Sequence, residues 1–156
     1  MSQFSPIDVY YWPMYGRAGA PMRILEYAGI PFVHKSEFPE IAAEASAFGA
    51  NGDTFAPPIL KDGDFTISQS TACAMYAGEK AGINNFDSYP KALQYISDLV
   101  DLFELAIGGA GNKGGADLKQ YLTGDRFKKV VGNIERSIKG PFYFGDKVST
   151  VYITHA

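Results

Sequence analysis

A strand-like run, a turn and a helix-like run follow one another without a break in residues 8–32, DVYYWPMYGRAGAPMRILEYAGIPF. Residues 7–12 predict a strand, because β-branched and aromatic side chains favour a pleated surface. Pro21 suits the first turn of a helix, and Gly29 suits the position just past a helix end. Folds that alternate strands and helices tend to place their chemistry at the carboxyl ends of such strands, where this chain carries large aromatic side chains.

Alternating strands and helices continue through the first half of the chain. The stretch PPILKDGDFTIS predicts a hairpin, since Asp62 and Gly63 are turn residues between two apolar runs. The order βαβ-α-ββα predicts an α/β domain over residues 5–83. The remaining predicted elements are a strand at 32–35, a helical stretch within 39–52 and a helix over 69–82.

The second half carries no strand signal and predicts an all-helical domain over residues 90–156. It follows NNFDSYP, a polar stretch with a proline that is the best candidate for a domain boundary. Apolar side chains recur at helical spacing in residues 90–107, and residues 125–138 repeat that pattern with Thr123 as the expected N-cap. The glycine-rich residues 108–115 predict a loop between these helices.

Composition and charge exclude several classes of function. A net charge of −3 argues against a nucleic-acid partner held mainly by charge. No run of 18 apolar residues exists, so no membrane span is expected. The N-terminus does not have the pattern of a secretory signal, and the single cysteine, Cys73, excludes an intramolecular disulfide, so a cytoplasmic protein is expected. The two histidines lack partners at metal-ligand spacing, and no metal site is expected.

The opening stretch resembles the N-terminal segment of cytosolic glutathione S-transferases of the tyrosine type, the alpha, mu, pi and sigma group. In that family a strand ends in a Tyr-aromatic-Pro or similar step, which is followed by Gly-Arg and a helix. Here these are Tyr11, Trp12 and Pro13, then Gly16 and Arg17. The resemblance implies that Tyr11 is the catalytic residue and that Arg17 lies near the thiol or the second substrate. Side chains alternate along a strand, so the preceding Tyr10 is expected on the other face of the sheet.

A second stretch, residues 56–72, resembles the family's cis-proline strand, hairpin and Gln-Ser pair. Pro58 takes the cis-proline place, and Gln69 and Ser70 take the place that holds the glutamyl end of glutathione. The residue before the cis proline is Pro57, which has no N–H, so only its carbonyl group can pair with the cysteinyl part. The resemblance therefore implies a thioredoxin-like, glutathione-binding N-terminal domain and an all-α C-terminal domain.

The chemistry implied for Tyr11 is activation of a thiol. A free thiol has a pKa of about 8.5. A neutral phenol that donates a hydrogen bond to sulfur stabilises the thiolate but not the thiol. A charge-assisted bond of about 1.5–3 kcal/mol lowers that pKa by about one to two units. Other interpretations remain open for each residue: Tyr11 as half-buried packing, Arg17 as a solvated surface arginine, and Gln69 and Ser70 as helix capping.

The implied function is conjugation of glutathione to a small hydrophobic electrophile by a homodimer, in which Asp98 or Asp101 could reach the partner's site. A sigma-like isomerase or peroxidase that uses the same thiol is one alternative. A non-catalytic relative with the same fold and a truncated, inactive fragment are the others. The electrophile and the contacts to the glycyl end of glutathione are not specified by the sequence.

The resemblance breaks near the C-terminus. The family follows its Gly-Asp-Lys turn with Ser/Thr-x-x-Asp, a capping box that opens a long buried helix. Here Ser149 is followed three residues later by Tyr152 rather than an acid. We therefore expect a C-terminally truncated, incomplete helical domain in which that buried helix has no counterpart.

Overall fold

The computed structural model describes residues 5–111, 120 and 122–155. Within that part, four strands form one mixed sheet in the order β2-β1-β3-β4. β1 pairs in parallel with β2 and antiparallel with β3, and β3 and β4 form an antiparallel hairpin. The strands are β1 Ile7–Tyr10, β2 Phe32–Lys35, β3 Ile59–Asp62 and β4 Phe65–Ser68.

Three α-helices connect and cover these strands. Gly29 ends the first of them in the left-handed conformation, with φ of 65°, as its position in the sequence predicted. Gly63, with φ of 61°, forms the turn of the predicted hairpin. The helices are α1 Gly19–Ala28, α2 Phe38–Glu44 and α3 Ser70–Lys80, and short 3₁₀ turns span Gly16–Ala18 and Ser46–Phe48.

The two faces of the sheet bury different apolar groups. Tyr11 packs in the larger core, which lies beneath α1 and α3 and contains Val9 and Leu60. Tyr10 belongs to a smaller core with Ile41 and its neighbours from α2. The prediction that the two adjacent tyrosines lie on opposite faces is therefore confirmed, because side chains alternate along a strand.

The second half of the chain is helical, as predicted. Its helices are α4 Tyr89–Gly111, α5 Asp125–Ser137 and α6 Thr150–His155. Its core joins Ile96 and Leu99 of α4 to Ile134 of α5 and Val151 of α6. A thioredoxin-like unit followed by an all-α unit is thus confirmed as the fold class. No helix in the described ranges has the length and apolar character needed to cross a bilayer.

A short helix, α6, forms where the long buried helix was expected to have no counterpart, so that expectation was wrong for the six residues Thr150–His155. Truncation of the helical domain stays a prediction. Val151 is fully buried, and Ile153 is buried in the core beneath α1. The backbone N–H of Thr150 donates to the carbonyl of Ile83, 3.2 Å away. Tyr152, which replaces the expected acid, packs edge-on against Phe142 with ring centroids 4.7 Å apart. Burial and these contacts stabilise the helix without the carboxylate of a capping box.

Several predicted boundaries also moved. β1 ends at Tyr10 rather than at residue 12, although the N–H of Tyr11 still donates to Lys35 at 3.1 Å. α4 continues to Gly111 through four residues of the predicted loop, and the rest of that loop lies outside the described residues. Thr123 is not the N-cap of α5: Gly124 holds that position, and the Thr123 hydroxyl donates to the carbonyl of Gln120.

Candidate active site

A cavity of about 560 Å³ lies between the two halves of the chain, beside the end of β1. One wall comes from the segment after β1 and from the first turns of α1. The opposite wall comes from apolar side chains of α4. The described residues that line the cavity are Tyr15, Gly16, Arg17, Gly19, Ala20, Arg23, Ser70, Ile96, Leu99, Val100, Leu102, Phe127 and Thr154.

The hydroxyl group of Tyr11 lies directly behind this wall. It accepts a hydrogen bond of 3.0 Å from the backbone N–H of Arg17. The side chain is only 6% exposed, and Tyr11 is not among the lining residues. A Cβ atom added to Gly16 would lie 2.7 Å from the hydroxyl oxygen, so a single peptide separates the phenol from the cavity.

The hydroxyl proton of Tyr11 has no acceptor among the described residues. A hydroxyl group can accept two hydrogen bonds and donate one. The bond from Arg17 uses one acceptor position, and no described residue accepts the proton. The phenol is therefore oriented by the backbone and retains an unused donor.

His34 holds the main chain of Tyr11 from the neighbouring strand. Its Nε2 atom lies 3.1 Å from the carbonyl oxygen of Tyr11. A carbonyl oxygen can only accept, so this nitrogen donates and carries a proton. In the sequence, His34 drew notice only as a possible metal ligand. His34 lies in β2, which pairs in parallel with β1, and this position is the signal that could have identified it as a partner of the Tyr11 main chain.

The Gln-Ser pair faces two directions. Ser70 lies at the start of α3 and lines the cavity together with Arg17, as expected for a shared site. Gln69 is exposed and lines a separate depression, beside Phe65 and Leu93. Its φ of 78° makes it the one non-glycine residue with a positive φ among the residues described. Such a conformation costs about 1–3 kcal/mol and is concentrated at functional sites.

The two prolines precede β3 and lie outside the lining of the cavity. The Pro57–Pro58 peptide bond is cis, as expected for the place that Pro58 occupies. Pro57 is partly exposed and Pro58 is buried. Of the predicted site residues, the structure thus brings Arg17 and Ser70 into one cavity and Tyr11 behind it. It leaves Gln69, Pro57 and Pro58 apart from that cavity.

Cys73 of α3 is fully buried in the larger core. Burial raises the pKa of its thiol to about 12. The thiol lies 3.5 Å from the carbonyl oxygen of Pro58, to which it donates a weak hydrogen bond. These surroundings agree with a small buried apolar residue.

We expect Cys73 to be inert to thiol reagents in the folded protein at neutral and mildly alkaline pH. The thiolate is the reactive form, and a raised pKa keeps the thiol protonated below pH values near 12. The measurement is reaction with a chromogenic disulfide, with and without denaturant. We expect one thiol per chain to react in denaturant and essentially none without it. Rapid labelling of the native protein would contradict the buried position.

The apolar wall and Arg23 were not predicted from the sequence. Arg23 lies on α1 three residues after Ala20, so both face the cavity. That spacing is visible in the sequence. The pairing of this face of α1 with Leu99 and Val100 of α4 is not, because it depends on how the two halves of the chain pack.

The two aspartates that were considered for a partner's site line a different groove. Asp98 and Asp101 of α4 lie there beside Arg126 and Lys129 of α5. The side-chain amide of Asn133 donates to Asp98 at 3.5 Å. A role in a dimer stays a prediction.

Comparison with known proteins gives structural matches only. No family model and no curated protein matches the sequence. The fold matches a pi-class glutathione S-transferase of Onchocerca volvulus at 17% identity and a TM-score of 0.76, over 96% of this chain and 74% of that one. It also matches the glutathione S-transferase of Ascaris lumbricoides at 18% identity and a TM-score of 0.66, over 94% and 76% of the two chains. A third match is prostaglandin synthase D of Nilaparvata lugens, at 21% identity and a TM-score of 0.67, over 97% and 78%. At such identities the likeness establishes the fold of the glutathione S-transferases for this chain.

Proposed function

We propose that the protein is a glutathione transferase of the tyrosine type, in which Tyr11 activates the thiol of glutathione for attack on a small hydrophobic electrophile. The observation that carries this proposal is the Tyr11 hydroxyl, which accepts from the N–H of Arg17 and keeps its own proton to donate. This hydroxyl lies one peptide from a cavity that also contains the first residue of α3. The shared fold supports the proposal but does not carry it.

The proposed chemistry needs a neutral phenol. Its proton bonds to the sulfur anion and stabilises the thiolate relative to the thiol. The N–H of Arg17 polarises the phenol oxygen from behind and strengthens the donor, because hydrogen bonds in a chain reinforce one another. A bond of about 1.5–3 kcal/mol brings the thiol pKa to neutral pH or below. The electron pair of the sulfur then attacks the electrophilic carbon.

Binding of glutathione is proposed to use the start of α3. Free N–H groups in the first turn of this 11-residue helix favour a carboxylate, and the hydroxyl of Ser70 lies among them. We propose that Gln69, whose strained backbone opens the helix, contacts the glutamyl end. Pro57 offers only its carbonyl group to the cysteinyl part. One lost hydrogen bond there costs about 0.5–1.5 kcal/mol of affinity.

Access to Tyr11 requires a small movement of the segment after β1. The phenol is 6% exposed, whereas Met14 and Tyr15 on that segment are 57% and 56% exposed. Gly16 has φ of 39°, a conformation that glycine adopts readily. We propose that glutathione displaces this segment from the hydroxyl as it binds.

Replacing Gly16 by alanine is expected to reduce glutathione-dependent turnover at least about tenfold and to destabilise the fold by about 1–3 kcal/mol. The new Cβ atom would lie 2.7 Å from the Tyr11 oxygen and 2.8 Å from its Cε1 atom, which must displace the ring or the segment. The measurements are turnover and urea unfolding.

Gly29→Ala is the matched control for Gly16→Ala. Gly29 also has a positive φ, of 65°, but no atom lies within 4 Å of its added Cβ. Gly29→Ala should lower the free energy of unfolding by about 1 kcal/mol, the cost of a left-handed backbone for alanine, and should leave turnover unchanged. Equal turnover in the two variants would refute the placement of the phenol.

A non-catalytic binding protein is the second candidate, because the burial of Tyr11 favours it. If the segment after β1 does not move, the cavity binds ligands without activating a thiol. A glutathione-dependent isomerase is also compatible with the proposed chemistry. The experiment that separates a catalytic protein from a non-catalytic one is turnover of an aromatic halide with glutathione, wild type beside Tyr11→Phe.

We further propose a homodimer in which the groove containing Asp98 and Asp101 lies at or near the partner's site. Light scattering during size-exclusion chromatography would test this. A monomer at micromolar concentration would rule out a stable dimer of this kind.

A further inference from the structure

We infer that the cavity between α1 and α4 takes an electrophile with an apolar body and a free carboxylate, and that Arg23 binds that carboxylate. The inference rests on the proposed function for the reaction, but the binding step stands on the cavity itself. It names the chemical class of the second substrate, which the sequence left unspecified.

The body of the ligand is inferred from the wall formed by α4. Ile96, Leu99, Val100 and Leu102 line this side, and the ring of Phe127 adds to it from α5. Opposite them, Gly19 and Ala20 present almost no side chain, which leaves the width for a ligand. A volume of about 560 Å³ lies within the range of small-molecule sites. An acyl chain or a small apolar ring system fits such a space.

The carboxylate is inferred from Arg23. Its guanidinium group lies 6.0 Å from the centroid of the Tyr15 ring, within cation–π range, so an aromatic face holds it at the cavity. Arg23 makes no ion pair with any residue that the structure describes, unlike Lys35, Lys61 and Lys80. A planar guanidinium with open N–H groups is suited to bidentate recognition of a carboxylate.

The charge of the described cavity wall agrees with this role. Among the lining side chains that are described, none is acidic. An anionic ligand would thus meet no repulsion from these groups. A cationic ligand would be disfavoured by the guanidinium group of Arg23.

The reaction of such a ligand is balanced without further reagents. For an α,β-unsaturated ketone with a distant carboxylate, the sulfur forms a bond to the β carbon. The π electrons of the C=C bond move through the α carbon to the carbonyl oxygen, and the resulting enolate takes up the proton that the thiol released. Nothing is oxidised or reduced, and no group leaves.

Calorimetric titration without glutathione tests the binding step, with decanoate and decanol as probes. We expect wild type to bind decanoate about five- to tenfold more tightly than decanol, because the arginine is exposed and its ion pair is partly screened. Arg23→Gln should remove that preference and leave decanol binding unchanged. Arg23→Lys, which keeps the charge but loses the planar fork, should restore part of it.

Arg136→Gln is the matched control, since Arg136 is an exposed arginine of α5 that does not line the cavity. It should leave decanoate binding unchanged. Equal affinity for the two probes in wild type, no binding of either, or equal losses in the Arg23 and Arg136 variants would overturn the inference.

The outcomes also separate this inference from the proposed function. If the aromatic halide is not turned over but decanoate binds in an Arg23-dependent way, the proposed function fails and the cavity assignment stands. If the halide is turned over but decanoate binding does not depend on Arg23, the proposed function stands and the cavity assignment fails.

Discussion

Tyr11→Phe is expected to lower turnover of an aromatic halide with glutathione by about 10- to 150-fold, while glutathione still binds. The variant removes one hydroxyl group and keeps the ring that packs beneath α1. The lost charge-assisted hydrogen bond contributes about 1.5–3 kcal/mol, and each 1.36 kcal/mol corresponds to a factor of about ten in rate. Steady-state kinetics over a range of glutathione concentrations would separate the effect on kcat from the effect on KM.

The same substitution should raise the pKa of bound glutathione by about one to two units. Ultraviolet absorbance of the thiolate, followed as a function of pH, measures this pKa directly. The chain's own cysteine does not interfere, because burial raises the pKa of Cys73 to about 12. The sign follows from the mechanism: the phenol stabilises the anion, so its loss moves the titration to higher pH.

Tyr10→Phe is the matched control, since Tyr10 is the adjacent residue on the other face of the sheet. Its hydroxyl lies 3.5 Å from Asp8 and is remote from the cavity. We expect turnover and thiol pKa to stay at wild-type values. If Tyr11→Phe behaves like Tyr10→Phe, the phenol has no part in catalysis and the binding-protein alternative is favoured.

Gly78→Ala is expected to destabilise the folded chain by about 1–3 kcal/mol or more, the usual range for overpacking in a dense interior. The added Cβ atom would overlap the hydroxyl of Thr150 and the side-chain carbonyl of Asn84, and would lie 2.9 Å from the Cβ of Thr150. Those two side chains are hydrogen-bonded to each other and join the start of α6 to the loop after α3. Unfolding in urea, followed by circular dichroism, measures the effect.

Gly132→Ala in α5 should have the opposite effect on the free energy of unfolding. The nearest atom to its added Cβ is the end of the flexible Arg136 side chain, at 3.3 Å. Alanine is favoured over glycine inside a helix by about 0.5–1 kcal/mol, so this variant should be stabilised. Destabilisation of similar size in both variants would contradict the packing described for Gly78.

A double variant tests the specific contact at Gly78. Thr150→Ala removes the hydroxyl that the new methyl group would meet. If that contact is responsible, Gly78→Ala with Thr150→Ala should be more stable than the sum of the single losses, with a coupling of about 0.5–3 kcal/mol. If the two single losses of stability simply add, the destabilisation by Gly78→Ala does not come from its contact with Thr150.

Local patterns were sufficient to predict the order of strands and helices in the first half. Gly29 and Gly63 adopt the positive φ angles that their positions indicated, because these turns depend on nearby backbone alone. The opposite facing of Tyr10 and Tyr11 followed from the period of a strand. The start of α5 was misjudged because Thr123 bonds backward to Gln120, a competition between local partners that the sequence does not decide.

The features that were missed depend on contacts between distant parts of the chain. α6 forms because Val151 and Ile153 are buried against two different cores, which outweighs the missing carboxylate at Tyr152. Gln69 and Ser70 line different depressions although they are adjacent in sequence. This depends on the positive φ angle of Gln69, which no residue pattern specifies. The position of Tyr11 behind Gly16 depends on how the segment after β1 folds back, and a motif match does not contain that information.

Ile153, near the far end of the chain, belongs to the same core as Ile7 and Leu25. During synthesis the first strands and α1 leave the ribosome long before this side chain does. Part of the apolar interior of this unit therefore stays open until residue 153 has been translated. Closure of this core thus depends on a residue that is remote from the sheet in sequence, and until that residue is made the open interior is an apolar surface that chaperones can bind.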